Sequence, residues 1–235
     1  MRILCIVQER PTSPDSSALT LQVQDGLSVS GLLELPAAAR ACFVLAHGAG
    51  AGMRHRSMAA VAQGLAARGI ASLRYQFPYM EQGKRRPDPP PLCHATVRAA
   101  VAQAARRMPG LKLVAGGRSF GGRMTSQAQA LEPLAGVRGL AFLSFPLHPA
   151  GAPADTRAAH LTRVSTPMLF LSGTRDALAE RALLEAAVAR LGARATLSLI
   201  ADADHSFHVP ARSGRSDAEV LEEALERLAA WIDTL

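Results

Sequence analysis

Residues 112–122 read Lys-Leu-Val-Ala-Gly-Gly-Arg-Ser-Phe-Gly-Gly, and this stretch decides the fold of the chain. The apolar run 111–115 predicts a buried strand that ends at two glycines. Residues 120–131 have a helix-forming composition, which places Ser119 on the turn between a strand and a helix. The spacing Gly117-x-Ser119-x-Gly121 is that of a nucleophile elbow, a sharp turn that exposes a serine hydroxyl.

The glycines and the helix of this motif each have a mechanical reason. The turn strains the backbone at Ser119, so Gly117 and Gly121, two residues to either side, must lack a Cβ atom. The helix begins directly behind the hydroxyl, and its first N–H groups, including that of Phe120, face an oxyanion that forms there. Since the chain has 19 glycines, a chance match with an idle serine is the alternative interpretation of the pattern.

Length and composition describe an ordinary soluble globular protein. The chain has 235 residues, of which 49% are hydrophobic and 19% are charged, and this predicts a single domain over residues 18–235. Residues 1–17 end in a loose polar linker and form an N-terminal extension, whose opening apolar run 1–7 is too short for a secretory signal. No apolar run is long enough to span a membrane.

Two further features bear on compartment and partners. Cys5, Cys42 and Cys93 show no metal-binding or redox spacing, and an odd number argues against a disulfide framework, which favours a reducing cytoplasm. The net charge of +7 arises from arginines spread along the chain, and aromatic residues make up only 4%. No nucleic-acid-binding motif accompanies that charge, so we expect no specific nucleic-acid partner.

Strands and helices alternate along the rest of the chain, after a hairpin centred on Asp25-Gly26. The predicted strands cover residues 18–23, 27–35, 41–46, 70–77, 111–115, 139–145, 168–172 and 195–200. The predicted helices cover residues 57–68, 95–107, 120–131, 155–164, 177–191 and 217–232, and residues 79–91 are predicted to be a proline-rich loop. This order predicts an α/β fold with a mainly parallel sheet, helices on both faces and an antiparallel start.

Functional groups of such a sheet gather beyond the carboxyl ends of its strands. Ser119, Asp176 and His205 each follow a predicted strand, and their order is the one expected for a Ser-Asp-His triad. Serine is a poor nucleophile at neutral pH and needs an imidazole to take its proton, while a carboxylate orients that imidazole.

Each partner of the serine has rivals. His208 is close to His205 in the sequence, and we favour His205 because it lies nearer to the strand end. Asp202 and Asp204 lie in the histidine's own loop and are better suited to shaping it, so Asp176 is the preferred acid.

The run His47-Gly48-Ala49-Gly50 follows the third strand and has the form of an oxyanion loop. Backbone N–H groups of Ala49 or Gly50, together with that of Phe120, would hold the developing negative charge. His47 is expected to brace this loop. His55 and His148 are expected to have structural or surface roles. The histidines have no neighbours at metal-ligand spacing, so we expect neither a metal nor another cofactor.

These motifs together resemble the small α/β-hydrolases related to dienelactone hydrolase. The resemblance rests on four stretches in order: residues 47–50, 117–122, 169–176 and 203–207. It is closest to a subgroup with a Ser-Phe-Gly-Gly elbow and an Asp-His-Ser-Phe-His ending, and it covers residues 18–235. It implies the α/β-hydrolase fold. Dienelactone hydrolases carry a cysteine where this chain has Ser119, so that particular reaction does not follow.

The resulting functional hypothesis is hydrolysis of a small carboxylic ester through an acyl-enzyme. The alternative is a hydrolase-shaped interaction module without turnover, since some relatives of this subgroup are non-catalytic parts of larger assemblies. Only residues 146–167 separate the strands between which lids are usually inserted, and this predicts little or no lid. Arg118 and the run Lys84-Arg85-Arg86 suggest an electropositive mouth that favours acidic esters.

Overall fold

A computed structural model describes residues 16–235, and the N-terminal extension up to residue 15 lies outside the described residues. The strands are β1 (Ser16–Gln24), β2 (Leu27–Glu34), β3 (Ala41–Ala46), β4 (Ile70–Tyr75), β5 (Lys112–Arg118), β6 (Val137–Leu143), β7 (Met168–Gly173) and β8 (Ala195–Ile200). The α-helices are α1 (Arg56–Ala66), α2 (Pro78–Glu81), α3 (Pro90–Arg107), α4 (Phe120–Leu131), α5 (Arg181–Ala189) and α6 (Asp217–Asp233).

The eight strands form one sheet in the order β1-β2-β4-β3-β5-β6-β7-β8. β1 pairs antiparallel with β2, and β2 pairs antiparallel with β4. The remaining neighbours, from β4 through β8, are parallel. The predicted α/β fold with an antiparallel hairpin and a parallel sheet is therefore confirmed.

Helices cover both faces of the sheet, and a separate apolar core lies under each set. On one face, α1 and α6 pack against the sheet through side chains such as Met58, Leu65 and Leu228. On the other face lie α3, α4 and α5, with buried residues that include Val97 and Met124. Strands β3 and β7 are buried along their whole length, as expected for parallel strands covered on both faces.

Strand β5 runs to Arg118, three residues beyond its predicted end at Ala115. Gly116 and Gly117 continue the ladder, pairing with residues of β3 on one side and β6 on the other. Glycine is required at both positions because the neighbouring backbones come very close. A Cβ atom on Gly116 would lie 1.9 Å from the carbonyl oxygen of Ala141. The glycines therefore extend the strand, where the sequence pattern suggested that they end it.

The predicted loop 79–91 is wrong at both ends, since α2 begins at Pro78 and α3 begins at Pro90. Proline has no N–H group and a fixed φ near the helical value, so it is well suited to the first turn of a helix. Here the prolines start helices at the two ends of the segment, and only the residues between Glu81 and Pro90 remain as a connection.

Two other predicted helices differ in kind or in start. The segment predicted as a helix over 155–164 is a 3-10 helix, Thr156–Arg163. α5 starts at Arg181, four residues later than predicted, because Asp176 bonds its own carboxylate to the backbone N–H of Leu178 and holds the chain in a turn. Among residues 16–235, no helix is both long and apolar enough to cross a membrane.

We expect Gly116→Ala to destabilise the fold severely, because its new Cβ would meet the backbone of β6 and not a flexible side chain. The expected loss is more than about 3 kcal/mol of unfolding free energy, measured by urea denaturation. Gly50→Ala is the matched control, since nothing lies within 4 Å of a Cβ atom built there. Equal urea midpoints for the two variants would contradict this expectation and show that β6 can move away from β5 without a loss of stability.

Candidate active site

Three loops at the carboxyl edge of the sheet carry the predicted catalytic residues. Ser119 follows β5, Asp176 follows β7, and His205 follows β8. β5 and β7 flank β6, and β8 lies beyond β7, so the three loops emerge side by side. The structure brings all three side chains together.

Ser119 occupies a strained turn between β5 and α4. Its φ is 48° and its ψ is −113°, a conformation that residues with a side chain rarely adopt. Close contact with the end of β3 fixes this turn: a Cβ atom on Gly117 would lie 2.3 Å from the Ala46 carbonyl oxygen, and one on Gly121 would lie 2.5 Å from that of His47. The two glycines are therefore required by the neighbouring strand, and not only by the turn itself.

A continuous hydrogen-bonded chain runs from the serine hydroxyl to the carboxylate. The distance from Ser119 Oγ to His205 Nε2 is 2.8 Å. The distances from His205 Nδ1 to the two carboxylate oxygens of Asp176 are 2.9 and 2.8 Å. With Nδ1–H donating to the carboxylate, Nε2 is left as the acceptor for the hydroxyl proton.

Asp176 is buried but not left without partners. Its side chain is 0% exposed, against 21% for that of His205. Besides the imidazole, its carboxylate accepts a hydrogen bond of 2.8 Å from the N–H of Leu178 and a long one of 3.5 Å from the hydroxyl of Ser172. These donors offset the cost of removing the charge from water.

The rivals of the triad residues are engaged elsewhere. His208 is exposed, and its Nδ1 lies 2.9 Å from a carboxylate oxygen of Asp217, the first residue of α6. Asp204 accepts hydrogen bonds from the backbone N–H groups of Ser206 and His208, at 2.6 and 3.0 Å. It so shapes the loop after β8 that carries His205, called here the histidine loop. The N–H of Asp202 donates to the hydroxyl of Thr174, which joins the histidine loop to the loop after β7 that carries Asp176.

The segment after β3 forms a tight turn beside Ser119. The N–H of Ala51 donates to the carbonyl of Gly48 at 3.4 Å, so Ala49 and Gly50 lie at the tip of the turn. Ala49 faces the same cavity as Ser119 and Phe120. The hydroxyl of Tyr79 donates to the carbonyl of Ala49 at 2.8 Å and anchors the turn, a contact that sequence reasoning missed.

His47 lies behind this turn. Its Nδ1 is 2.7 Å from the carbonyl oxygen of Gly48, and its Nε2 accepts a hydrogen bond of 3.0 Å from the N–H of Phe77. Both contacts suit the neutral ring protonated on Nδ1, and burial lowers the pKa of His47 to about 4. The neutral side chain therefore connects β3 with the segment after β4. The sequence predicted such a bracing role.

The cavity in front of Ser119 has a volume of about 440 Å³. Its walls combine apolar groups with charged ones: Phe120, Met124, Pro146, Leu178, Asp88, Arg123 and Arg157. A wider depression of about 810 Å³ lies next to it, lined by residues 84–90, and shares Pro87, Asp88 and Pro90 with the first. Only the smaller cavity contains Ser119, so we take it as the candidate substrate site.

The charged residues that line this cavity differ from those that the sequence suggested, although residues 84–86 line the adjoining depression. Arg118 does not line it: its guanidinium lies 5.8 Å from the ring centroid of Phe207 and donates to the carbonyl of His205 at 3.5 Å. It therefore supports the histidine loop from behind. Arg123 and Arg157 line the cavity instead. Arg123 follows Ser119 by four residues on α4, and that one-turn spacing is a signal that could have identified it.

The other histidines near the site have structural contacts. His55 caps α1, with its Nδ1 accepting from the N–H of Ser57 at 3.3 Å. His148 is buried and accepts a hydrogen bond of 3.2 Å from the N–H of Glu180. Within residues 16–235, no group of three or more His, Cys, Asp or Glu side chains is placed to hold a metal ion.

We expect the lowered pKa of His47 to make stability depend on pH. In the unfolded chain this residue titrates near 6.5, so between pH 6.5 and about 4 the unfolded state binds a proton that the folded state does not. The unfolding free energy should therefore fall as the pH drops through that window. In His47→Gln an amide oxygen can still accept from Phe77. As the pH drops, its unfolding free energy should fall less than that of the wild type, and the difference should be up to about 1.4 kcal/mol per pH unit. Parallel plots of unfolding free energy against pH for the two proteins, measured by urea unfolding, would contradict this.

Several solved structures share the fold. A dienelactone hydrolase from Anabaena variabilis is 23% identical, with a TM-score of 0.75 over 92% of this chain and 97% of that one. A serine hydrolase without a lid from Xanthomonas campestris is 21% identical, with a TM-score of 0.69 over 91% and 95%. Est1E from Butyrivibrio proteoclasticus, solved with ferulic acid bound, is 18% identical, with a TM-score of 0.72 over 92% and 100%.

The sequence itself matches the family model of the alpha/beta hydrolase domain over residues 39–233, which is most of the chain. That range includes residues 47–50 after β3, the elbow around Ser119, and the loops that carry Asp176 and His205. Together with the strand order and the small hydrolases that share the fold, this match confirms the resemblance drawn from the motifs. The chain belongs to the α/β-hydrolase family, and it shares its fold with small hydrolases such as dienelactone hydrolase.

Proposed function

We propose that this protein is a serine hydrolase that cleaves small carboxylic esters through an acyl-enzyme. The observation that carries the proposal is the hydrogen-bonded chain from Ser119 through His205 to the buried carboxylate of Asp176. That chain opens at its serine end into a cavity of about 440 Å³. A structural serine has no need of an oriented imidazole or of an adjoining cavity.

In the first half of the reaction, Ser119 Oγ attacks the ester carbonyl while His205 Nε2 takes its proton. The imidazolium that forms is stabilised by the carboxylate of Asp176, which also fixes the ring orientation. His205 then gives the proton to the departing alcohol oxygen, the ester C–O bond breaks, and the acyl group remains on Ser119.

The negative charge that develops on the carbonyl oxygen needs donors in place beforehand. The N–H of Phe120 lies at the start of α4, and the turn at Ala49 and Gly50 borders the same cavity. We propose that these backbone groups form the oxyanion hole, with Tyr79 and His47 holding the turn in position. Loss of one such donor in comparable enzymes lowers the rate by roughly 10²–10³-fold.

In the second half, water replaces the alcohol. His205 takes a proton from that water, and the resulting hydroxide attacks the acyl carbonyl. Breakdown of the tetrahedral intermediate returns the proton to Ser119 Oγ and releases the carboxylic acid. No cofactor is needed, because the protein's own side chains perform every proton transfer.

We expect Ser119→Ala to abolish both ester turnover and labelling by a fluorophosphonate probe. His205→Ala and Asp176→Asn should each lower kcat by about 10³-fold or more, with the fold intact by circular dichroism. His208→Ala is the matched control and should retain wild-type activity, because His208 pairs with Asp217 at the surface.

Two results would contradict this assignment. Equal labelling of wild type and Ser119→Ala would remove Ser119 from the mechanism. An inactive His208→Ala would show that His208, and not His205, is the base. A wild type that turns over no ester in a panel of short-chain nitrophenyl substrates would favour the alternative of an interaction module.

The site suits small substrates. Between β6 and β7 the chain forms a 3-10 helix, Thr156–Arg163, and this described segment contains no inserted helical layer. The segment between α2 and α3 adds one wall through Pro87 and Asp88. These short segments offer no long apolar face to a lipid surface.

We therefore expect hydrolysis to fall steeply as the acyl chain lengthens from acetyl or butyryl toward palmitoyl. The rate on tributyrin should rise smoothly with concentration, because no lid has to open at an interface. A sharp increase at the solubility limit of tributyrin, measured by pH-stat titration, would reveal a mobile lid.

A further inference from the structure

We propose that Arg123 and Arg157 form a carboxylate-binding subsite in the cavity beside Ser119, so that the preferred substrates are esters carrying a second, free carboxylate. This inference rests on the proposed function, since it names the substrate class of the same site. Four observations support it: the position of the two arginines, their lack of carboxylate partners, their mutual repulsion and the contact between the elements that carry them.

The two arginines come from different elements and meet at the cavity. Arg123 lies on α4, and its N–H donates to the Ser119 carbonyl at 3.1 Å, one helical turn beyond the serine. Its guanidinium carbon lies 5.8 Å from the ring centroid of Phe120. Arg157 comes from the 3-10 helix after β6 and lines the same cavity.

Neither guanidinium has a carboxylate partner in the described part of the chain. Ion pairs within 4.0 Å engage other arginines, such as Arg74 with Glu34 and Arg190 with Asp155, but not Arg123 or Arg157. Moreover, Arg123 Nε is buried and has no hydrogen-bond partner among residues 16–235. A buried donor without an acceptor is costly, so hydrogen bonding within the described residues does not account for the position of this side chain.

The two positive charges also repel each other. Burial lowers the pKa of Arg123, and the nearby Arg157 lowers it further. A guanidinium remains charged despite such a shift, so the pair is unfavourable until an anion lies beside it. Its planar fork of N–H donors matches a carboxylate, and two such forks can hold one carboxylate from two sides.

A hydrogen bond joins the two elements that carry the arginines. Ser126 Oγ on α4 lies 2.7 Å from Nε2 of His160, which is on the same 3-10 helix as Arg157. Burial and the charge of Arg123 lower the pKa of His160 to about 4, so this ring is neutral and adds no third charge. Asp88, the carboxylate that also lines the cavity, accepts a hydrogen bond of 2.7 Å from the N–H of Tyr79. One carboxylate against two guanidinium groups leaves the cavity net positive.

The cavity limits the size of the substrate. Ser119, Arg123 and Arg157 line the same space of about 440 Å³, so the ester carbonyl and the second carboxylate must both fit inside it. A monoester of a short dicarboxylic acid, such as monoethyl glutarate, meets that limit.

The test compares monoethyl glutarate with ethyl glutaramate, in which a neutral amide replaces the carboxylate at the same size. The wild type should prefer the acid by about tenfold or more in kcat/KM, and added salt should reduce that preference. Arg123→Gln and Arg157→Gln should each remove most of the preference, mainly by lowering kcat/KM for the acid. Arg106→Gln, an exposed arginine on α3 that bonds Gln103, removes the same charge far from the cavity and should change neither value.

A binding measurement separates this inference from the proposed function. In Ser119→Ala, calorimetry should show tighter binding of monoethyl glutarate than of ethyl glutaramate, and Arg157→Gln added to that variant should remove the difference. Equal binding of the two esters, or a preference that neither arginine variant alters, would overturn the subsite while Ser119-dependent hydrolysis stands. Selective binding of the acid without hydrolysis by the wild type would support the subsite and overturn the proposed function.

Discussion

The close contact between backbones at the end of β5 is the constraint on which the rest of the site depends. Cβ atoms on Gly116 and Gly117 would lie 1.9 and 2.3 Å from carbonyl oxygens of β6 and β3, so only glycine lets the three strands meet there. Because the strands meet, β5 continues to Arg118 and the chain must reverse sharply at Ser119. The strained φ of 48° at the serine follows from that packing and needs no separate cause.

A second contact of the same kind brings the acid and the histidine together. A Cβ atom on Gly173 would lie 2.0 Å from the Ala203 carbonyl oxygen, which also accepts a hydrogen bond of 2.9 Å from the N–H of Arg175. The loops after β7 and β8 are therefore joined through their backbones. Asp176 can lie fully buried because the adjoining loop delivers His205 to it, and the carboxylate keeps its hydrogen bonds as it leaves water.

The charged groups of the site divide into those with partners and those without. Asp176 and Asp88 accept backbone hydrogen bonds, and Arg118 lies against the histidine loop, so these charges stabilise the architecture. Arg123 and Arg157 have no ion-pair partner among the described residues, although holding two cations together opposes folding. This unfavourable pair at the cavity beside Ser119 is the basis for proposing that it binds a substrate carboxylate.

The sequence alone determined the order of strands and helices, the elbow around Ser119 and the residues that follow each strand, because apolar runs, glycine spacing and chain order are local properties. It misjudged the prolines at 78 and 90, since a proline that starts a helix and one that breaks it look alike without neighbours. Only the tertiary structure decided which histidine meets which acid, and that Arg118 lies behind the site while Arg123 and Arg157 face the cavity. Those outcomes depend on the direction of side chains from separate strands and helices, which is set when the sheet packs.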